Sequence, residues 1–159
     1  MTNVARDIGN VTVLSTCQML FGTGRGLFMI TAPAVALLPG FAPHLALATL
    51  PAATVVIGTA LSAWIASMIP RRTGRRVGFL IGTVLAVISG ALCFASVIYG
   101  NFWLLALGGL VFGFFAGFAQ LYRFAAAGGI TERFRSIAIS LVLAGGVFSG
   151  FVGAGLAVW

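Results

Sequence analysis

Two arginines, Arg25 and Arg123, lie inside long apolar stretches of this sequence, and any chemistry would have to be built around them. Placing an Arg deep in an apolar medium costs at least about 2.5 kcal/mol, so such a residue faces a cavity or a partner and often marks a solute route. Gln18 precedes Arg25 by seven residues, nearly two helical turns, which puts both on one face of a helix. Around Arg123 stand Gln120, three residues earlier, and Tyr122, its neighbour. A guanidinium grips a carboxylate or phosphate through two parallel hydrogen bonds. The only acids in the chain, Asp7 and Glu132, fall outside the apolar stretches. Neither Arg therefore has a carboxylate within its own stretch, and the anion is expected from a ligand or a partner chain. The structural alternatives stay open. Arg123 lies close enough to the end of its stretch to snorkel, and Arg25 could donate to a carbonyl of a neighbouring helix.

Other chemistries find no residues to run on. There is no carboxylate pair and no Ser/His/Asp set, and His44 is the only histidine. No metal site, cofactor or enzyme activity is expected. Gly22-Thr-Gly-Arg-Gly26 imitates a phosphate loop but lacks the Lys and the preceding strand that such loops require. Cys17 and Cys93 lie inside apolar runs and read as free, buried thiols. All nine basic residues are Arg. Seven of them, Arg6, Arg71, Arg72, Arg75, Arg76, Arg133 and Arg135, lie between or before the apolar runs, as topology signals rather than as a nucleic-acid surface.

The elements that must carry these residues are membrane helices. Of the 159 residues, 60% are hydrophobic and 7% charged, and the mean hydropathy is +1.14. A soluble domain carries roughly 25% charged residues. The predicted architecture is an all-α bundle of five transmembrane helices in a single domain, at about 11–38, 45–69, 77–99, 102–127 and 136–159. Each exceeds or approaches the roughly 20 residues needed to cross a bilayer. Pro33 is expected to bend the first helix, and Pro39-Gly40 and Pro70 to close the first and second. The first run is too long for the roughly 7–15-residue core of a signal peptide. Arg25 would lie about 20 Å from either end of its helix, too deep to snorkel. Ridges of small residues, Gly22/Gly26, Gly78/Gly82, Gly109/Gly113/Gly117 and Gly146/Gly150, are the expected contact lines between helices.

The seven topology arginines fall in the N-terminal arm and the second and fourth connections; the segments near 39–44 and 100–101 contain none. The positive-inside rule then places the N-terminus in the cytoplasm of a multi-pass protein of the cell (inner) membrane.

Arg72-Thr-Gly74-Arg75-Arg76 resembles the second half of the signature loop of the major facilitator superfamily, Gly-x-x-x-Asp-Arg-x-Gly-Arg-Arg/Lys, and occurs where that family has it, between spans two and three on the inner side. The segment from Gly113 to Arg135 is also similar to bacterial members. The resemblance covers the chain as the first five of the family's usual twelve helices, an N-terminal half lacking helix 6. Ser67 stands at the motif's Gly and Arg71 at its Asp, the residue associated with the inner gate. Gly109 falls where many members carry a helix-four Arg, so Arg123 is not that residue. In the last run, Gly146-x-x-x-Gly150 and Gly153-x-Gly155 are similar to an antiporter motif whose Pro is replaced by Phe151.

The resemblance implies a secondary transporter working by alternating access between two halves, with helices one and four lining the cavity. It also implies a gating role for Arg72, Gly74, Arg75 and Arg76. The solute would be small and anionic, bound by Arg25, Gln18, Arg123, Gln120 and Tyr122. The apolar run continues to the last residue, so the sequence reads as a partial transporter, inactive without its second half or another chain. The competing expectation is a small non-transport assembly or accessory protein of the membrane.

Overall fold

The structure, a computed structural model, describes residues 2–120 together with 140, 143–149, 152 and 155. Four α-helices follow in order: α1 (Thr2–Ala36), α2 (Leu50–Thr73), α3 (Arg75–Tyr99) and α4 (Phe102–Ala119), with a short 3-10 turn at Leu45–Leu47 ahead of α2. Residues 143–149 are helical as well, and no strand occurs among the described residues. Among the described residues three stretches are long and apolar enough to cross a membrane, Thr12–Ala36, Val77–Tyr99 and Phe102–Ala119, and Leu50–Ala66 is a shorter apolar helix. The chain is an all-α, multi-pass membrane protein.

The helix ends follow local chemistry. α1 continues through Pro33 and stops at Ala36, where the Leu37 amide donates to the Pro33 carbonyl at 3.1 Å. α2 begins with Leu50-Pro51, a position where proline's missing N–H is not needed. α3 ends on Gly100 in the left-handed region (φ 59°), with the Asn101 amide on the Ser96 carbonyl at 3.0 Å and the Gly100 amide on Val97. That is the paired-bond geometry of a glycine C-cap. Asn101 at once caps α4, its Oδ1 accepting from the Trp103 amide at 3.0 Å. Two residues thus reverse the chain between spans three and four.

The chain divides into two compact units, one made of α1 through Leu27 with the C-terminal helical residues, the other of Phe28–Ala119. In the second unit α4 is the hub. Gly109 and Gly113 bring it against the Pro51 and Val55 carbonyls, and Gly117 against Ser62. The contacts of α2 and α4 climb together along both helices, so the two run parallel. Gly82 meets Phe118 while Ser89 meets Gly108, so α3 runs antiparallel to α4. Hydroxyls use the close approach: Thr54 donates to the Ala106 carbonyl at 2.9 Å, Ser89 to Gly108 at 2.9 Å and Ser62 to Gly113 at 3.4 Å. Between membrane helices such bonds average about 0.6 kcal/mol each. At one end, Ala36, Ala48 and Phe102 form a buried cluster under Phe41, Ala42, Leu47 and Leu50, which folds the 39–49 connection over the start of α4.

Polarity is inverted relative to a soluble bundle. Ser62, Ser89 and Ser96 are buried, while Trp64 is 74%, Leu80 66%, Val87 68% and Phe94 71% exposed. Large apolar residues at 80, 84, 87, 94 and 98 make α3's outer face. Water would not tolerate an apolar surface of this extent on a folded monomer, whereas hydrocarbon does.

Candidate functional site

Arg25 stands in the middle of the spanning part of α1, 13 residues after Thr12 and 11 before Ala36, and is half-buried. Spacings of three, four and three residues put Ser15, Gln18, Gly22 and Arg25 on one stripe of the helix. Helical residues 145–149 lie along this stripe. A Cβ on Gly145 would sit 3.1 Å from the Met19 Cγ, and one on Gly146 would sit 3.4 Å from the Gln18 Nε2. Gly22 receives Ser149, whose hydroxyl donates to its own helix at the Gly146 carbonyl, 2.7 Å away. The contacts rise together, 15 and 19 with 145, 18 with 146 and 22 with 149, so this segment runs parallel to α1.

Gln18 and Arg25 share the stripe, but the Gly22–Ser149 contact lies between them. Gln18 is held beneath a helix backbone, and Arg25 sits one turn beyond Gly22. Gln120, partly buried, follows the last residue of α4. Tyr122 and Arg123 lie outside the described residues. Between Ile8 and Leu121 the sequence contains no acid, and Asp7 lies 18 residues before Arg25 on the same helix, about 27 Å away along its axis.

At the second connection, Arg72 belongs to the last turn of α2 and Arg75 and Arg76 open α3, leaving Gly74 as the single residue between two helices. Its φ of 92° and ψ of 158° fall in a region that is essentially reserved for glycine. No atom lies within 4 Å of a Cβ built there. The requirement is therefore conformational and not steric. Gly74→Ala and Gly74→Leu should each strain the turn by about 1–3 kcal/mol, to a similar extent despite their difference in size. Transport per inserted molecule, measured in the full-length protein, should fall several-fold for both while insertion changes less. Unchanged transport would remove any mechanistic role from this motif.

Sequence reasoning missed two features. Thr54, Gly58 and Ser62 are a ladder at four-residue spacing along α2, and its small and hydroxyl side chains are the ones that meet α4. The period was present in the sequence, although not as a glycine ridge. The second is an aromatic group: Phe28 stacks on Phe112 with centroids 5.5 Å apart and planes 6° apart, and Phe112 meets Phe115 edge-on at 5.7 Å. Fourteen phenylalanines gave no signal for which would pair.

A profile of the family described as "Sugar (and other) transporter" matches residues 42–123, just over half of the chain, from the 39–49 connection through α4. The chain belongs to this family, within the major facilitator superfamily. It is also 30% identical, over all of its 159 residues, to the riboflavin transporter RfnT of Brucella anthropi, and spans 39% of that protein's length. No solved structure matches it. The family match covers the Arg72–Arg76 connection, on which the resemblance to the superfamily first rested. α1 and the segment 143–149 lie outside the match and are covered by the similarity to the Brucella protein.

Proposed function

We propose that this chain is the N-terminal part of a secondary transporter that carries a small solute across the inner membrane by alternating access, with Arg25 holding an anionic end of that solute. The observation that carries the proposal is a half-buried guanidinium at the middle of a spanning helix, in a member of a transporter family whose residues 8–121 contain no carboxylate. A cation placed there is stabilised by what enters from outside the chain, and a bidentate oxygen ligand suits its fork. Gln18, Gln120, Tyr122 and Arg123 are the proposed accompanying residues, and the remaining helices of the transporter, or a second chain, the proposed partner. The similarity to a riboflavin transporter favours a second form of this reading, in which the guanidinium donates to a carbonyl oxygen and the adjacent unprotonated nitrogen of an uncharged flavin ring.

The test is uptake by the full-length protein in vesicles, with riboflavin as substrate and small carboxylates or phosphorylated flavin as competitors. Competition by the anions supports the first form, and riboflavin uptake indifferent to them supports the flavin form. Absence of any solute flux from correctly inserted protein would sink the transport reading in favour of an accessory role.

Orientation is proposed from the arginine asymmetry. In a background with Cys17 and Cys93 replaced, a cysteine at Thr73 should react with impermeant reagents only from the cytoplasmic side. One at the exposed His44 should react only from outside. The reverse pattern would overturn the orientation together with the inner placement of the Arg72–Arg76 connection.

A further inference from the structure

Other buried hydroxyls among the described residues are satisfied: Ser62, Ser89 and Ser96 each donate to a helix carbonyl. Ser15 and Gln18 break the pattern. The Ser15 Oγ and the Gln18 Oε1 are both buried and have no hydrogen-bond partner among the described residues. Leaving such a group unpaired costs about 1–3 kcal/mol, and here two lie one turn apart on the same stripe of α1. Gly145-Gly146, a step with no side chain to offer, passes beside the Ser15 carbonyl and the Gln18 amide group. An amide oxygen only accepts and a serine hydroxyl accepts as well as donates, so the group that completes this pair brings an O–H or N–H donor.

We infer that Ser15 and Gln18 form a subsite for a hydroxyl or N–H group of the transported solute, set apart from the oxygen-binding position at Arg25. The inference rests on the transport reading and narrows it: the solute carries hydrogen-bond donors as well as acceptors. The seven residues from Gln18 to Arg25 place the two positions about 10 Å apart along α1, with the Gly22–Ser149 contact between them. A resident water presents the same O–H chemistry and is the other source of a donor, and the experiment separates the two.

The full-length transporter is assayed with riboflavin, whose side chain is a polyol, and with lumiflavin, the same ring bearing a methyl group instead. Gln18→Met keeps the length of the side chain and removes its acceptor, and Ser15→Ala removes the hydroxyl. Each substitution should weaken riboflavin by about tenfold and lumiflavin much less, shifting the preference between the two flavins, while thermal stability holds or rises because a buried unpaired atom has gone. An equal loss for both flavins with lowered thermal stability would assign the site to a structural water and overturn the inference. So would unaltered preference and affinity. Wild-type protein that handles neither flavin would bring down the flavin reading, and the subsite with it, before any variant is compared.

Discussion

Gly113→Leu should abolish the folded state of this protein, whereas the same exchange at Gly90 should leave it intact. Gly113 lies where α4 crosses α2. A Cβ there would approach the Val55 carbonyl and come within 2.8 Å of both the Gly58 Cα and the Thr59 amide nitrogen. These obstacles are backbone atoms, so no rotamer change clears them and the helices must separate. Separation would also break the Ser62–Gly113 and Thr54–Ala106 hydrogen bonds and expose Gly109 and Gly117 to lipid. Overpacking a tight core typically costs about 1–3 kcal/mol, and losing an interface of this kind adds to that, beyond about 4 kcal/mol in all. Gly90 sits on the exposed face of α3 with nothing within 4 Å of its Cβ position. Leucine there meets only hydrocarbon and improves helix propensity by about 1 kcal/mol. Thermal unfolding in detergent, read by monodispersity, checks both variants. Equal stability would mean that the α2–α4 approach does not hold the bundle together.

Arg25→Gln should nearly eliminate solute binding in the full-length transporter, and Arg25→Lys should weaken it even though the charge is kept. Lysine supplies a point charge and not the two parallel donors of a guanidinium. Removing one partner of a desolvated, charge-assisted pair costs about 2–5 kcal/mol, roughly 30-fold or more in affinity. Uptake and solute-protected alkylation together measure this. A structural role makes a different forecast. If Arg25 holds a neighbouring helix, Arg25→Gln lowers thermal stability while the variant that remains folded transports at the original rate. That outcome would end the solute-binding reading.

The two experiments probe different parts of the chain, and the difference follows its architecture. Gly113 belongs to the α2–α3–α4 assembly, where the buried serines are hydrogen-bonded and Gly58, Gly109 and Gly113 lie against a neighbour's backbone. Arg25 belongs to the stripe of α1 on which the Ser15 Oγ and the Gln18 Oε1 have no partner among the described residues.

Much of this was determined by the sequence alone. An apolar run must form its hydrogen bonds internally in a bilayer, so composition compelled helices, and Pro39-Gly40 and Gly100-Asn101 marked where two of them end. The Arg72–Arg76 motif pointed to the family that the profile match then established. Arg25 stood out because its apolar stretch contains no acid to neutralise it. Tertiary structure decided the rest. Glycine ridges at 22, 109, 113, 117 and 146 announced contacts without naming partners, because a small residue permits approach by any helix. Only the packed chain shows that Gly117 seats Ser62 and that Gly22 seats Ser149. The hydroxyl ladder of α2 likewise became meaningful only when α4 carbonyls came within reach. Gln18 shared a helical face with Arg25 by spacing, yet a contact three residues short of Arg25 separates them. Periodicity fixes the direction in which a side chain points, but what it meets depends on residues more than a hundred positions away.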